Sequence, residues 1–194
     1  MTSVRNSRAD VVAAAGRLFA ERGYHGTSMR DLGRELGLFG SSLYSHVDSK
    51  EDLLVEVIEK GAALFQASAD RAADAGEGAE AKLHAFIAGH IDVVLDHEDE
   101  ARTYLNEARV LDDRRRTAVI DARDRYEHAL RKILNEGASE GTFDSDLDSS
   151  LTSIFILSVL NAVERWYSPD GRLDRAELVS AVEGFCRKAL GSGA

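Results

Sequence analysis

A chain of 194 residues with 34 acidic against 24 basic side chains, net charge −10 and 44% hydrophobic residues has enough apolar mass for a real core, and is too short for large multidomain machinery. One proline and a single cysteine, Cys186, exclude an internal disulfide, a cysteine-built metal cluster and a strand architecture punctuated by Pro turns. The lone cysteine suits a reducing cytoplasm, which is the location expected; the early apolar run at residues 11–15 is too short for a signal peptide and no stretch is long enough to cross a membrane.

The first helix is predicted over residues 7–22, where Val11, Ala14, Ala15, Leu18 and Phe19 recur at helical spacing and Gly23 marks the stop. Thr27 or Ser28 supplies a cap oxygen for a short second helix over 29–36, ended by Gly37. A third short helix starts near Ser41 or Ser42 and carries Leu43, Tyr44 and Val47. Ser49 then caps a long amphipathic helix over 50–73, which ends before the Gly76-Glu77-Gly78 loop. Further helices are predicted over 79–95, 101–111, 113–135, 145–167 and 175–190, with breaks at 97–99, 137–143 and 168–171 and Asp174 as the last cap. The chain is therefore all-α, about nine helices: a three-helix N-terminal domain over residues 1–50 and a helical body over 51–194.

Charge is divided unevenly. Residues 1–50 hold seven basic side chains (Arg5, Arg8, Arg17, Arg22, Arg30, Arg34, Lys50) against five acidic ones (Asp10, Glu21, Asp31, Glu35, Asp48), so the head is +2 and the remainder −12. A basic head on an acidic body suits contact with a polyanion at the head alone. Three short helices with a glycine turn between the second and third satisfy the geometry of a helix-turn-helix. Setting aside Leu32, Leu36, Leu38, Leu43 and Val47 as core leaves Arg30, Arg34, Gly40, Ser41, Ser42, Tyr44, Ser45 and His46 outward, small or hydrogen-bonding groups able to approach bases and phosphates. An ordinary three-helix subdomain whose serines only cap and solvate helices fits the same pattern.

The run Gly23-Tyr24-His25-Gly26-Thr27-Ser28-Met29-Arg30-Asp31-Leu32, with Gly37-Leu38, Ser42-Leu43-Tyr44-Ser45-His46 and Ser49-Lys50-Glu51-Asp52-Leu53-Leu54, resembles the tetracycline-repressor (TetR) family of bacterial transcriptional regulators over residues 8–56. The resemblance implies double-stranded DNA as a partner. It places Thr27, Ser28 and Arg30 near a phosphate or base edge and Gly40, Ser41 and Ser42 in the major groove, with Tyr44, His46 and Lys50 on the backbone. Three positions depart from the family pattern: Phe39 stands where a small polar residue is common, Gly40 where lysine often stands, and Val47 in place of an aromatic. Phe39 either meets a thymine methyl or packs on the turn. So small a head reads few base pairs, which calls for a homodimer on a palindromic operator.

Residues 149–163 carry no charge, so that helix needs cover on two sides: its own domain and, most simply, a second copy. Leu151, Phe155 and Val159, with Leu178, Val182 and Phe185 of the last helix, are the expected dimer interface; a core helix in a monomer is the other reading. Aromatic and aliphatic groups with a few polar atoms make ligand sites. Phe86, His90, Tyr104, Arg109, Tyr126, Arg165 and Trp166 are the candidates for an effector site, although each also fits plain core or surface. The segment from Trp166 to Leu173 resembles one in TetR-like regulators that sense acyl-CoA thioesters, which implies that effector class. Arg102, Arg109 and Arg165 then either pair with its phosphates or merely balance an acidic body.

Six histidines raise the question of a metal, but His90 and His97 would lie ~10 Å apart on a continuous helix, too far to share one ion. No phosphate loop, nucleophile elbow or HExxH pair is present, so neither enzyme, metal nor cofactor is expected. The sequence reads as a dimeric repressor released when a small molecule binds the body. The alternatives are a small-molecule-binding helical bundle and a DNA-binding protein without an effector.

Overall fold

The computed structural model describes residues 7–38 and 43–191. Among them are eight α-helices and no strand. Helix α1 (Arg8–Arg22) opens with a reciprocal cap, in which the Ser7 hydroxyl accepts the Asp10 N–H while the Asp10 carboxylate accepts the Ser7 N–H, and it closes at Gly23. Helix α2 (Met29–Leu36) repeats the device with Ser28 and Asp31 and ends at Gly37, whose φ of 66° is the left-handed conformation that glycine adopts without strain. Of the two cap candidates it is thus Ser28 that serves. Leu43 and Tyr44 are helical; the expected start of that helix lies outside the described residues. Ser49 caps α3 (Lys50–Ala73), accepting the Asp52 N–H at 3.1 Å.

Helix α4 (Ala79–Asp96) is followed by α5 (Glu98–Asn106), which tightens into a 3₁₀ turn over Glu107–Val110. Helix α6 (Asp113–Glu140) runs past Gly137, where the sequence predicts a break. A Cβ at Gly137 would overlap the ring of Phe143, so the glycine is there to admit that ring. Asp148 rather than Ser145 starts α7 (Ser149–Trp166), because its carboxylate accepts the Ser150 and Leu151 N–H groups. Asp174 caps α8 (Arg175–Leu190).

The chain folds into two compact units, neither a single run of sequence. The first comprises residues 1–63 and 97–120, the second 64–96 and 121–194. In the first unit α1 packs on both α2 and α5. Its interior is Val11, Ala14, Ala15, Leu18, Phe19, Leu32, Leu43, Leu53, Leu54 and Val57. The backbones of α3 and α5 approach closely at Gly61, where a Cβ would lie 2.6 Å from the Glu100 carbonyl. Arg8 ties the unit together, pairing with Glu56 and donating to the His46 carbonyl at 2.8 Å.

In the second unit α4 packs against α7 and α8. Ion pairs of Arg175 with Asp92 (3.0 Å) and Asp96 (2.8 Å) and of Arg187 with Glu80 join α4 to α8, and His84 Nδ1 lies 2.8 Å from the Glu183 carboxylate. Cys186 is fully buried on the inner face of α8, and burial pushes its thiol up to about 11. Among the described residues no helix is long and apolar enough to cross a membrane.

Candidate functional site

The first unit carries the helix-turn-helix. Ser28 and Arg30 are exposed at the start of α2, and Arg30 makes no ion pair among the described residues. The Tyr44 side chain is 56% exposed, and a groove of about 570 Å³ runs between it and Arg30, Gly33 and Arg34 of α2. His46 is half-buried. Two of the residues expected at DNA turn inward instead. Thr27 is 2% exposed and its hydroxyl lies 3.1 Å from the Leu18 carbonyl and 3.0 Å from that of Gly23. The Lys50 ammonium donates to the Tyr24 and Thr27 carbonyls, both at 2.8 Å, and stands 3.9 Å above the Tyr24 ring. Both hold the turn that launches α2. Phe39, Gly40, Ser41 and Ser42 lie outside the described residues.

The second unit brings three of the predicted effector residues into one cluster. Phe86 and His90 of α4 meet Tyr126 of α6, with ring centroids 4.9 Å (Phe86–Tyr126) and 5.9 Å (His90–Tyr126) apart, and His90 Nδ1 is 3.0 Å from the Tyr126 hydroxyl. Phe65 of α3 completes the cage, 4.8 Å from His90 and 5.4 Å from Tyr126. The sequence marks Phe65 only as one apolar residue of an amphipathic helix. Full burial holds the His90 imidazole neutral, its pKa down at about 3, and its Nε2 has no hydrogen-bond partner among the described residues. Beside the cage a cleft of about 800 Å³ opens between Gln66, Ala69 and Ala73 of α3 and Arg125, Ala129 and Ile133 of α6, edged by Lys82.

Tyr104, 3% exposed, and Arg109, exposed on the 3₁₀ turn, belong to the first unit. Arg102 pairs with Glu98 at 2.8 Å. Arg165 and Trp166 are exposed at the end of α7, where Trp166 meets Tyr167 edge to face at 6.4 Å. The predicted interface residues divide likewise. Leu151 (47%), Phe155 (59%) and Phe185 (60%) are exposed with Val159 half-buried, whereas Leu178 (1%) and Val182 (6%) point into the protomer and have little surface left to give a partner. Ile154, 48% exposed and absent from the sequence-based set, adds to the open face.

A helix-turn-helix in the first unit, with a buried aromatic cluster and a cleft of about 800 Å³ in the second, is the architecture of a DNA-binding regulator. Residues 11–57 match the model for bacterial regulatory proteins of the tetR family, and residues 76–190, more than half of the chain, match that for the tetracyclin repressor-like C-terminal domain. The chain belongs to the tetR family of bacterial regulatory proteins: it is a transcriptional regulator and not an enzyme. It is 29% identical over 171 residues to the HTH-type transcriptional repressor KstR2 of Mycobacterium tuberculosis, covering 88% of this chain and 86% of that protein. The solved structure of KstR2, a ketosteroid transcriptional regulator, superposes with a TM-score of 0.88 at 25% identity over 99% of this chain and 97% of that one. PfmR of Thermus thermophilus, a TetR family transcriptional regulator, gives 0.84 at 31% identity, covering 93% and 98%. AibR, solved with isovaleryl coenzyme A and operator DNA, shares the fold with a TM-score of 0.85 at 24% identity, covering 92% and 96%.

Proposed function

We propose that the protein acts in the cytoplasm as a homodimer on a palindromic operator, with residues 1–50 contacting DNA and residues 51–194 holding the effector and the dimer contact. The observation that carries this reading is the apolar face of the second unit: Leu151, Ile154 and Phe155 on α7 and Phe185 on α8 stay about half or more exposed in the protomer. Inward-facing Ser153, Ile156, Leu160 and Val163 already use the other side of α7, so the outer stripe needs a partner, and a second copy is the simplest. A two-fold dimer would set its two heads about 34 Å apart, or a multiple of that, to meet successive major grooves. Ser28, Arg30, Tyr44 and His46, together with Gly40, Ser41 and Ser42, form the proposed DNA contact set. Thr27 and Lys50 support it by fixing the turn.

The effector is proposed to be an acyl-CoA thioester, supported by the segment from Trp166 to Leu173 and by the aromatic cage at Phe86, His90 and Tyr126. Arg165 and Trp166, exposed beside the apolar face, are assigned to its polar end. Helices α3 and α6 each contribute residues to both compact units, so a displacement of either in the effector core reaches the head through covalent structure. A coupling of about 1–3 kcal/mol would release operator by roughly 5- to 150-fold. The test is a gel shift on the DNA upstream of the protein's own gene, at two salt concentrations, with and without octanoyl-CoA. Retardation that weakens with salt and is relieved by the thioester supports the proposal; unchanged retardation removes the effector assignment.

A further inference from the structure

The His90 ring is fully buried, its Nδ1 is committed to the Tyr126 hydroxyl at 3.0 Å, and its Nε2 is buried without a partner among the described residues. A buried polar atom that the fold leaves unpaired is costly, and one inside an apolar cage is where a ligand can gain specificity. The rings of Phe65 and Tyr126 stand against His90, with Phe86 against Tyr126, and none of the three contributes a charge. A cleft lined by Gln66 and Arg125 among others runs along α3 and α6, the helices that also carry Phe65 and Tyr126. We infer that His90 Nε2 is the polar anchor of the effector, and that it selects an uncharged oxygen function, ester, thioester, ketone or hydroxyl, on an apolar body against the corresponding free carboxylate. This rests on the reading of the second unit as the effector-binding part.

The chemistry follows from the tautomers. In a neutral imidazole one nitrogen donates and the other accepts. If the Tyr126 hydroxyl donates to Nδ1, Nε2 carries the proton and meets a carbonyl oxygen. If Nδ1 donates to Tyr126, Nε2 accepts from a hydroxyl. Either way the partner is neutral. A carboxylate brought to the same place would be a buried, ionised group to which Phe65, Phe86 and Tyr126 offer no cation, and burial keeps His90 from becoming one. The apolar body would lie against the rings of Phe65, Phe86 and Tyr126.

The test uses the full-length protein, calorimetric titration, and three probes: methyl octanoate, octanoate and octanoyl-CoA. Methyl octanoate is expected to bind at least tenfold more tightly than octanoate, and His90→Phe, which keeps an aromatic ring in the cage, is expected to reduce that ratio below about threefold. With ¹⁵N-labelled histidine in the unmutated protein, the Nε2 resonance of His90 is expected to move with the ester and not with the carboxylate, which keeps the test independent of whether the variant folds. Equal affinity for ester and acid, a ratio untouched by His90→Phe, a still Nε2 resonance, or no binding of the ester would each overturn the inference. An ester response that depends on His90, with no binding of octanoyl-CoA, would support the inference while removing the acyl-CoA assignment. Octanoyl-CoA binding that ignores His90 would do the reverse.

Discussion

Arg115, in the first turn of α6, donates to the Asp52 carboxylate at 2.7 Å and so reaches the first turn of α3, sixty-three residues back along the chain. The same guanidinium stands 2.9 Å from Glu51, and Asp52 also accepts from the Ser49 hydroxyl at 2.6 Å. Two acidic groups at a helix start are thereby met by one cation from a distant element, in the unit that also holds the helix-turn-helix. The partners are each about a third exposed, so water screens the pair. Arg115→Ala is expected to lower Tm slightly, by an amount that shrinks as salt is raised. Thermal melts at low and high ionic strength check this.

Lys50 and Tyr44 should separate stability from DNA contact. Lys50 spends its ammonium on two backbone carbonyls, so Lys50→Met is expected to destabilise the protein by about 1–2 kcal/mol, read by denaturant unfolding. Tyr44 is exposed, and Tyr44→Ala should change stability by less than about 0.5 kcal/mol while weakening binding to all duplexes alike. A Tyr44 variant that loses stability and keeps its DNA affinity would contradict the assignment.

Phe155→Glu is expected to convert the protein to a monomer with an unchanged helical spectrum, because the side chain is 59% exposed and its loss opens no core. Sedimentation velocity at micromolar concentration reports the particle size. Val182→Glu is expected to do something different: at 6% exposure it buries a charge inside the protomer and should unfold it.

Acid should loosen the caps first. The carboxyls of Asp10 and Asp31 are held below their ordinary value of 3.8, Asp10 by the backbone and side chain of Ser7, Asp31 by the side chain and backbone of Ser28. Asp52 is lowered too, chiefly by the Ser49 hydroxyl, with Arg115 assisting. A depressed folded pKa means the stabilisation is complete above the unfolded value and is lost as pH falls through the folded one, hence below about 4. Asp99, raised by burial, works in the opposite sense. Stability measured from pH 6 to 2 should therefore fall below pH 4, and Asp31→Asn should lower the plateau and flatten the fall.

Gly137→Ala is expected to destabilise by roughly 1–3 kcal/mol despite alanine's better helix propensity, since the added methyl meets the Phe143 ring. A stabilised variant in chemical denaturation would show that the ring moves aside freely.

The helix ends were readable wherever a local signal sets them: Ser28 and Gly37 around α2, Ser49 before α3, Asp174 before α8. Gly137 misleads because a glycine placed for a long-range contact looks, in sequence, like one placed for a turn. For the same reason the uncharged run of α7 is legible as a helix needing cover on two sides, while the division of α8 into an inner stripe with Leu178 and Val182 and an outer Phe185 is not. Thr27 and Lys50 are polar, and polarity alone cannot say that their partners are carbonyls of their own chain. Phe86, His90 and Tyr126 stand out by residue type, but Phe65 joins them only through tertiary packing, which no spacing within α3 encodes.

The lone sulfhydryl gives the molecule a built-in clock. Cys186 is sealed in the second unit, and its proton is held to about pH 11, so neither a disulfide reagent nor an alkylating agent meets a thiolate in the native state. Any modification must wait for that unit to open, and the labelling rate then reports how often α8 departs from its seat. An effector that clamps the unit would slow the clock, which offers a reading of occupancy that requires neither DNA nor a fluorophore.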